Sequence, residues 1–317
     1  MKKSTLSILL ICLVSIMLVS CSKKDTTPIR IGINAWPGYE FLYLAEKKGF
    51  FEAEGVNVDI VEFNSLADGR RAYERGQLDG LACTIVEHLK IIDSTNRSPK
   101  ISLVADYSNG ADVVMASSKV ESIEHLKGLS VGLEIDSLGT FMLARLLDKA
   151  GLELEDLDLK PMDQISIQDS ICSGEIDLGI TYPPFYVKMQ EECGAKKIFS
   201  SSEIPREIVD IVVLEQSILE NRSEDADSII RAFFNAQEWA YQNPEEAFEI
   251  MGKRQGLTAK EFEEALTDGL YIVKRGDHDD FFKENGPLDK ALLACSEILI
   301  DTKQIGERTE FSDSIRR

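Results

Sequence analysis

The first chemistry in the sequence sits on a turn. Trp36-Pro37-Gly38-Tyr39 stops the apolar run from Ile31 to Ala35, and a helical pattern follows at once. Aromatic rings belong in cores by default, so two of them on a turn are either a packing plug or a surface that touches another molecule. About one hundred residues later, Asp136-Ser137-Leu138-Gly139-Thr140 stands at the same point of a similar pattern. Ser137 and Thr140 suit a helix N-terminus, where free backbone N–H groups attract an acidic ligand group; they equally suit a plain N-cap. The same spacing pairs Asn64-Ser65 with Asp163-Gln164, and Thr84 with Tyr182. Asp106 and Asn109, in "DYSNGAD", are either turn-forming residues or, with Asp136 and Asp163, partners for an amine or a protonated ring. Tyr107, Tyr182 and Phe185 add aromatic faces that stack on a planar group or hold a cation. The expected ligand-binding set is therefore Trp36, Tyr39, Ser65, Thr84, Asp106, Asn109, Asp136, Ser137, Thr140, Asp163 and Tyr182.

Bond-making chemistry has less support. The three histidines, His88, His125 and His278, sit in no motif. Cys83 and His88 lack an orienting third group, and a strand-interior cysteine is usually a small hydrophobe. "HDD" at 278–280 is a poor ligand set for a metal. No catalytic residue, cofactor or metal site is expected.

The elements that position these residues repeat. "IRIGINA" (29–35), a helix from about Glu40 to Glu54, "VNVDIVEF" (56–63), a helix over "LADGRRAYERG" and "LDGLACTI" (78–85) make a β-α-β-α-β run. "LSVGLEI" (129–135), "LGTFMLARLLDKAG", "LDLKPM" (157–162), "QISIQDSICSG" and "IDLGITY" (176–182) repeat it. This order predicts parallel strands with crossover helices, in two α/β lobes. Gly76, Gly151 and Gly174 suit left-handed helix caps. The tail is helical: Asn243-Pro244 ends one helix, and Thr258 with Glu261 forms a capping box for another. Lobe one is expected over 29–112 and 213–317, and lobe two over 113–212. "ADVVMASS" (111–118) and "EIVDIVVLE" (207–215) read as paired hinge strands. In open parallel sheets, ligands bind beyond the carboxyl ends of the strands, so facing lobes bring the six strand ends to one cleft. Trp36 then walls the cleft, and Trp36→Ala should weaken binding with little loss of stability.

Lys2-Lys3 followed by "LSILLICLVSIMLVS" reads as a secretion signal over 1–20; an uncleaved anchor competes, although the span is short. Leu18-Val19-Ser20-Cys21 resembles a bacterial lipobox, which makes Cys21 a lipidated N-terminus and 21–28 a flexible tether. Loss of 1–20 removes two lysines and takes the formal charge from −20 to −22. So acidic a chain repels nucleic acid and anionic headgroups and makes a poor funnel for anions. Cys83, Cys172, Cys193 and Cys295 have no framework spacing and read mostly as buried thiols; pairing of Cys172 with Cys193 is left open.

"INAWPGYEFLYLAEKKGFF", "DYSNGAD", "GLSVGLEIDSLGTFMLARLLDKAGL", "SGEIDLGITYPPF" and "EIPREIVDIVV" together resemble the nitrate/sulfonate/taurine-type solute-binding proteins of ABC importers. That group includes binders of thiamine pyrimidine precursors. The resemblance spans nearly all of the mature chain. It implies a type II periplasmic-binding-protein fold: α/β, with two lobes of mainly parallel sheet flanked by helices and two hinge crossings. It also implies a small-molecule ligand held between the lobes, a membrane permease as partner, and a monomer in the cell envelope facing the periplasm or exterior. Trp36, Ser65, Thr84, Ser137 and Tyr182 correspond to pocket-lining positions of that group. Its anion-binding members usually carry a Gly-Ser-Thr-like turn where this chain has Asp136. That departure, with Asp106 and Asp163, favours a cationic or ring-nitrogen ligand over a bare anion or sulfonate. Two other roles stay open: a lipid-anchored sensor that signals through a receptor, and a pyrimidine-synthesis-type enzyme, whose cysteine-rich signature is missing here.

Overall fold

The computed structural model describes residues 25–120, 123–306 and 311–317. The secretion signal expected over 1–20 and the lipidation expected at Cys21 lie outside the described residues.

Eleven strands form two sheets among the described residues. They are β1 Ile29–Ile33, β2 Val58–Glu62, β3 Gly80–Thr84, β4 Pro99–Ser108, β5 Val113–Ala116, β6 Ser130–Leu133, β7 Asp158–Pro161, β8 Leu178–Thr181, β9 Lys196–Ser200, β10 Val209–Glu215 and β11 Leu270–Ile272. The first sheet has the order β11-β4-β10-β3-β1-β2, and the second β7-β6-β8-β5-β9. β1 pairs in parallel with β2 and β3, as β6 does with β7 and β8. The repeat in the sequence is a repeat in space, with Ile31 opposite Gly80 in one lobe and Val131 opposite Leu178 in the other.

The segments that read as paired hinge strands are not partners. β5 lies antiparallel between β8 and β9, and β10 antiparallel between β3 and β4. Each is the first strand laid down after the chain changes lobes, and its run of apolar residues suits a strand buried on both faces. The crossings themselves are 109–112 and 201–208, and they are tied side by side. Ser108 Oγ lies 2.7 Å from Ser201 Oγ, the Gly110 N–H donates to Ser201 Oγ at 2.7 Å, and the Ser201 N–H donates to the Asp112 carbonyl at 2.9 Å.

Local signals explain the helix ends. Gly151 and Gly174 close their helices with φ of 65° and 74°, and Thr258 caps the helix Ala259–Gly269 together with Glu261. The expected helix from Glu40 to Glu54 is instead two, Glu40–Lys47 and Phe50–Ala53, because Gly49 turns left-handed at φ 72°. A disulfide joins Cys172 to Cys193 across the ends of two lobe-two helices, at a Cα–Cα distance of 5.2 Å. The C-terminal helices return to the first sheet; Phe233 and Phe234 are buried, with Phe233 edge-on to Phe41. No described helix is long and apolar enough to cross a membrane.

Candidate functional site

The turn Trp36-Pro37-Gly38-Tyr39 sits where the lobes meet. Trp36 is 4% exposed, and its indole N–H points at the Asp106 carboxylate, 3.3 Å from each oxygen. Tyr39 donates its hydroxyl to Asp210 Oδ1 at 2.5 Å. Gly38 lies between them because Asp106 comes so close: a Cβ there would fall 1.8 Å from Asp106 Oδ2. From lobe two, Tyr182 meets Trp36 edge-on at 6.2 Å between ring centroids.

The sheet register builds the acidic floor. Asp210 of β10 stands opposite Thr84 on one side and Asp106 on the other. Burial drives both carboxyls up, Asp106 to about 7 and Asp210 well above its usual range, with Asp112 adding repulsion to each. Asp112, buried at the first crossing, is also raised to about 7, chiefly by burial. Four buried oxygens of the chamber walls have no hydrogen-bond partner: Asn34 Oδ1, Asp112 Oδ2, Asp210 Oδ2 and the Tyr182 hydroxyl. A second chamber next door has Glu134 held by Gln164 at 3.1 Å, and Gln164 in turn by Thr181 at 2.8 Å.

Each chamber is a cavity of about 10 Å³, roughly the room that one water needs. No lysine, arginine or histidine lines either one among the described residues. Outside them an interlobe groove of about 370 Å³ runs from Ala35 and Asn64 to Pro184 and Phe185. Anything larger than water therefore reaches the acidic floor only if the lobes part.

Of the expected ligand residues, Trp36, Tyr39, Thr84, Ser137 and Tyr182 line the two chambers. Asp106 stands behind Trp36 as its acceptor, and Ser65 is buried beside them as the cap of the helix Leu66–Glu74, accepting from the Asp68 N–H. The other four face elsewhere. Asn109 is exposed on the first crossing. Asp163 is exposed and caps the helix Gln164–Ser173 through the Ser166 N–H at 2.8 Å. Thr140 hydrogen-bonds back to Ser137. Asp136 is taken by lobe one: Arg70 and Lys90 each reach it at 2.7 Å. Burial alone would raise the Asp136 carboxyl, yet those two cations hold it below its usual value.

The helix N-terminus at Ser137 has a carboxylate on it already. Glu87 of lobe one, fully buried, accepts from Ser137 Oγ at 2.8 Å and from the Leu138 N–H at 2.9 Å with Oε1, while Thr84 donates to Oε2. Glu87, Asn34, Asp112, Glu134 and Asp210 were absent from the expected set. The signal for Asp112 and Asp210 was in the sequence: each is a lone charge in an apolar strand run, and a buried charge needs a reason.

The two lobes, their strand order and this cleft define the architecture of the periplasmic binding proteins. The alkanesulfonate-binding protein of Xanthomonas axonopodis pv. citri, solved bound to MOPS, superposes with a TM-score of 0.75 at 15% identity, over 92% of this chain and 98% of its own. Among curated proteins, one of Brucella abortus described as a binding protein is 26% identical over 243 residues, 74% of each chain. The formylaminopyrimidine-binding protein of Halalkalibacterium halodurans is 24% identical over 219 residues, 67% of this chain and 66% of its own. The chain belongs to the NMT1/THI5-like family, whose pattern matches residues 36–247, more than half of its length.

Proposed function

We propose that this chain is the solute-binding lipoprotein of an ABC importer, anchored at Cys21 outside the cytoplasm, and that it hands a small nitrogen-rich heterocycle of the aminopyrimidine kind to a membrane permease. Lobe one is 29–112 with 209–317, and lobe two is 113–208; the second boundary falls four residues before the one expected at 212, because all of β10 pairs within the first sheet. The observation that carries the ligand class is the acidic floor: Asp106, Asp112 and Asp210 are buried together, acceptor oxygens stand free, and no cation among the described residues lines the walls. Such a floor accepts from N–H donors, and a cation gains further by driving its protons off, which a sulfonate cannot do. Trp36 and Tyr182 give a planar ring two faces to lie against. The Halalkalibacterium relative, named for a formylated aminopyrimidine, agrees with this chemistry.

The reading is of capture without turnover. Cys83 is buried in β3 and its thiol is pushed well up by burial, then by Glu87 and Asp210, so it stays protonated. His88 is turned away to Ser314, with Nε2 2.8 Å from its hydroxyl.

A thermal-shift screen of the purified protein tests the ligand class. 4-Amino-5-hydroxymethyl-2-methylpyrimidine should raise the melting temperature, whereas nitrate and ethanesulfonate should leave it in place. Stabilisation by ethanesulfonate and none by the pyrimidine would overturn the class, and chemical conversion of the pyrimidine during incubation would overturn capture without turnover.

A further inference from the structure

In an architecture that seats ligands between facing strand ends, a helix N-terminus in the cleft is an anion seat by its physics: it offers free N–H groups and partial positive charge. Lobe two presents one at Ser137 and Leu138, the N-cap and first residue of the helix Leu138–Ala150. The occupant is not a solute. It is the side chain of Glu87, which reaches across from the helix Ile85–Ser94 of lobe one and satisfies the Ser137 hydroxyl and the Leu138 N–H with one oxygen. One turn further along that helix, Lys90 takes Asp136 of lobe two, assisted by Arg70. The lobes thus exchange carboxylates, Glu87 going one way and Asp136 the other. Asp112 Oδ2 and Asn34 Oδ1, buried and unpartnered, stand in the same cavity system.

We propose that Glu87 is the specificity-determining residue of the cleft, a built-in anion that fills the seat an acidic solute would need. With the seat filled from within, an incoming carboxylate or sulfonate finds the helix start taken, keeps only the Tyr182 hydroxyl as a donor from lobe two, and meets Asp112 and Asp210 on lobe one. A solute with N–H donors finds acceptors instead. The same reach across the gap also holds the lobes together, because the contacts of Glu87 with Ser137 and Leu138 exist only when the cleft is shut. The proposal rests on the cleft being the solute site and assigns the selectivity of that site to one side chain.

The test is calorimetric titration of ethanesulfonate into the purified wild-type protein, Glu87→Gln and Glu87→Ala. The wild type should give no saturable heat. Glu87→Gln keeps an acceptor on the seat and should gain little. Glu87→Ala empties the seat and should turn the flat wild-type titration into a saturable one, at least about tenfold tighter than the weakest binding the titration can detect, the scale expected of a charge-assisted anion site on a helix start. A Glu87→Ala protein that melts cooperatively yet stays blind to ethanesulfonate overturns the proposal; should that variant fail to fold, Glu87→Ser is read by the same criterion. The aminopyrimidine screen fails independently. A gain of ethanesulfonate binding alongside a wild type that ignores the pyrimidine keeps the seat and discards the ligand class, and the opposite pair of results does the reverse.

Discussion

Trp36 shows how one side chain can serve stability and binding together. Its ring is buried and its N–H is spent on Asp106, so Trp36→Ala should cost about 3–5 kcal/mol of stability as well as affinity. The expectation of a binding defect alone was too simple. Trp36→Phe keeps most of the ring and loses the N–H, so urea unfolding should show a much smaller loss while pyrimidine affinity still falls. The acidic floor makes a second prediction. Asp106 and Asp112 are held near pH 7 by burial, against an ordinary 3.8. The folded protein therefore keeps protons that the unfolded chain has released. Its stability without solute should fall as pH rises from about 4 through about 7. A cationic solute favours the ionised carboxylates, so its affinity should strengthen across the upper part of that window and binding should release protons. Titration in two buffers of different ionisation enthalpy measures the release, and Asp106→Asn should reduce it. An affinity indifferent to pH would count against a charged solute.

At the scale of elements, the sequence was most legible where short-range physics decides. Alternating apolar runs announced the two sheets, and glycines at 76, 151 and 174 announced helix ends. The parallel strand ends brought Trp36, Thr84 and Tyr182 to one place because the repeat fixes their position along each strand. Direction was harder. Asp136 and Ser137 are neighbours, yet one meets lobe-one cations and the other lines the cleft. That split follows from Asp136 adopting φ 61°, which no spacing rule foretells. The insertion of β5 and β10 was illegible for a related reason: pairing partners are long-range, and an apolar strand fits equally well at an edge or in the middle. Two element-level predictions follow from the linkages seen. Loss of the Cys172–Cys193 bridge, which spans 21 residues, should cost about 3 kcal/mol in a chemical unfolding curve; an unchanged midpoint would mean that lobe two needs no staple. Asp136→Asn should loosen closure by only about 1 kcal/mol, since the carboxylate is 58% exposed, and added salt should shrink the difference between variant and wild type.

Considered as a whole, the molecule is two similar halves joined by two crossings that are hydrogen-bonded to each other through Ser108, Gly110 and Ser201. Such a joint suits rotation of one rigid lobe on the other. The cavity in the shut arrangement, about 10 Å³ per chamber, is too small for a heterocycle, so capture requires opening and reclosure around the guest. A solute shifts that balance only by the contacts it gains in the closed form. The central claim is therefore mechanical, and a distance between lobes tests it most directly. Spin labels at exposed Glu52 in lobe one and Glu155 in lobe two report that distance by pulsed electron resonance. As 4-amino-5-hydroxymethyl-2-methylpyrimidine is added, the distribution should change and narrow to one closed population, with the change abolished by Asp210→Asn. A distribution identical with and without saturating pyrimidine, while calorimetry shows it bound, would contradict closure about a solute held between the lobes.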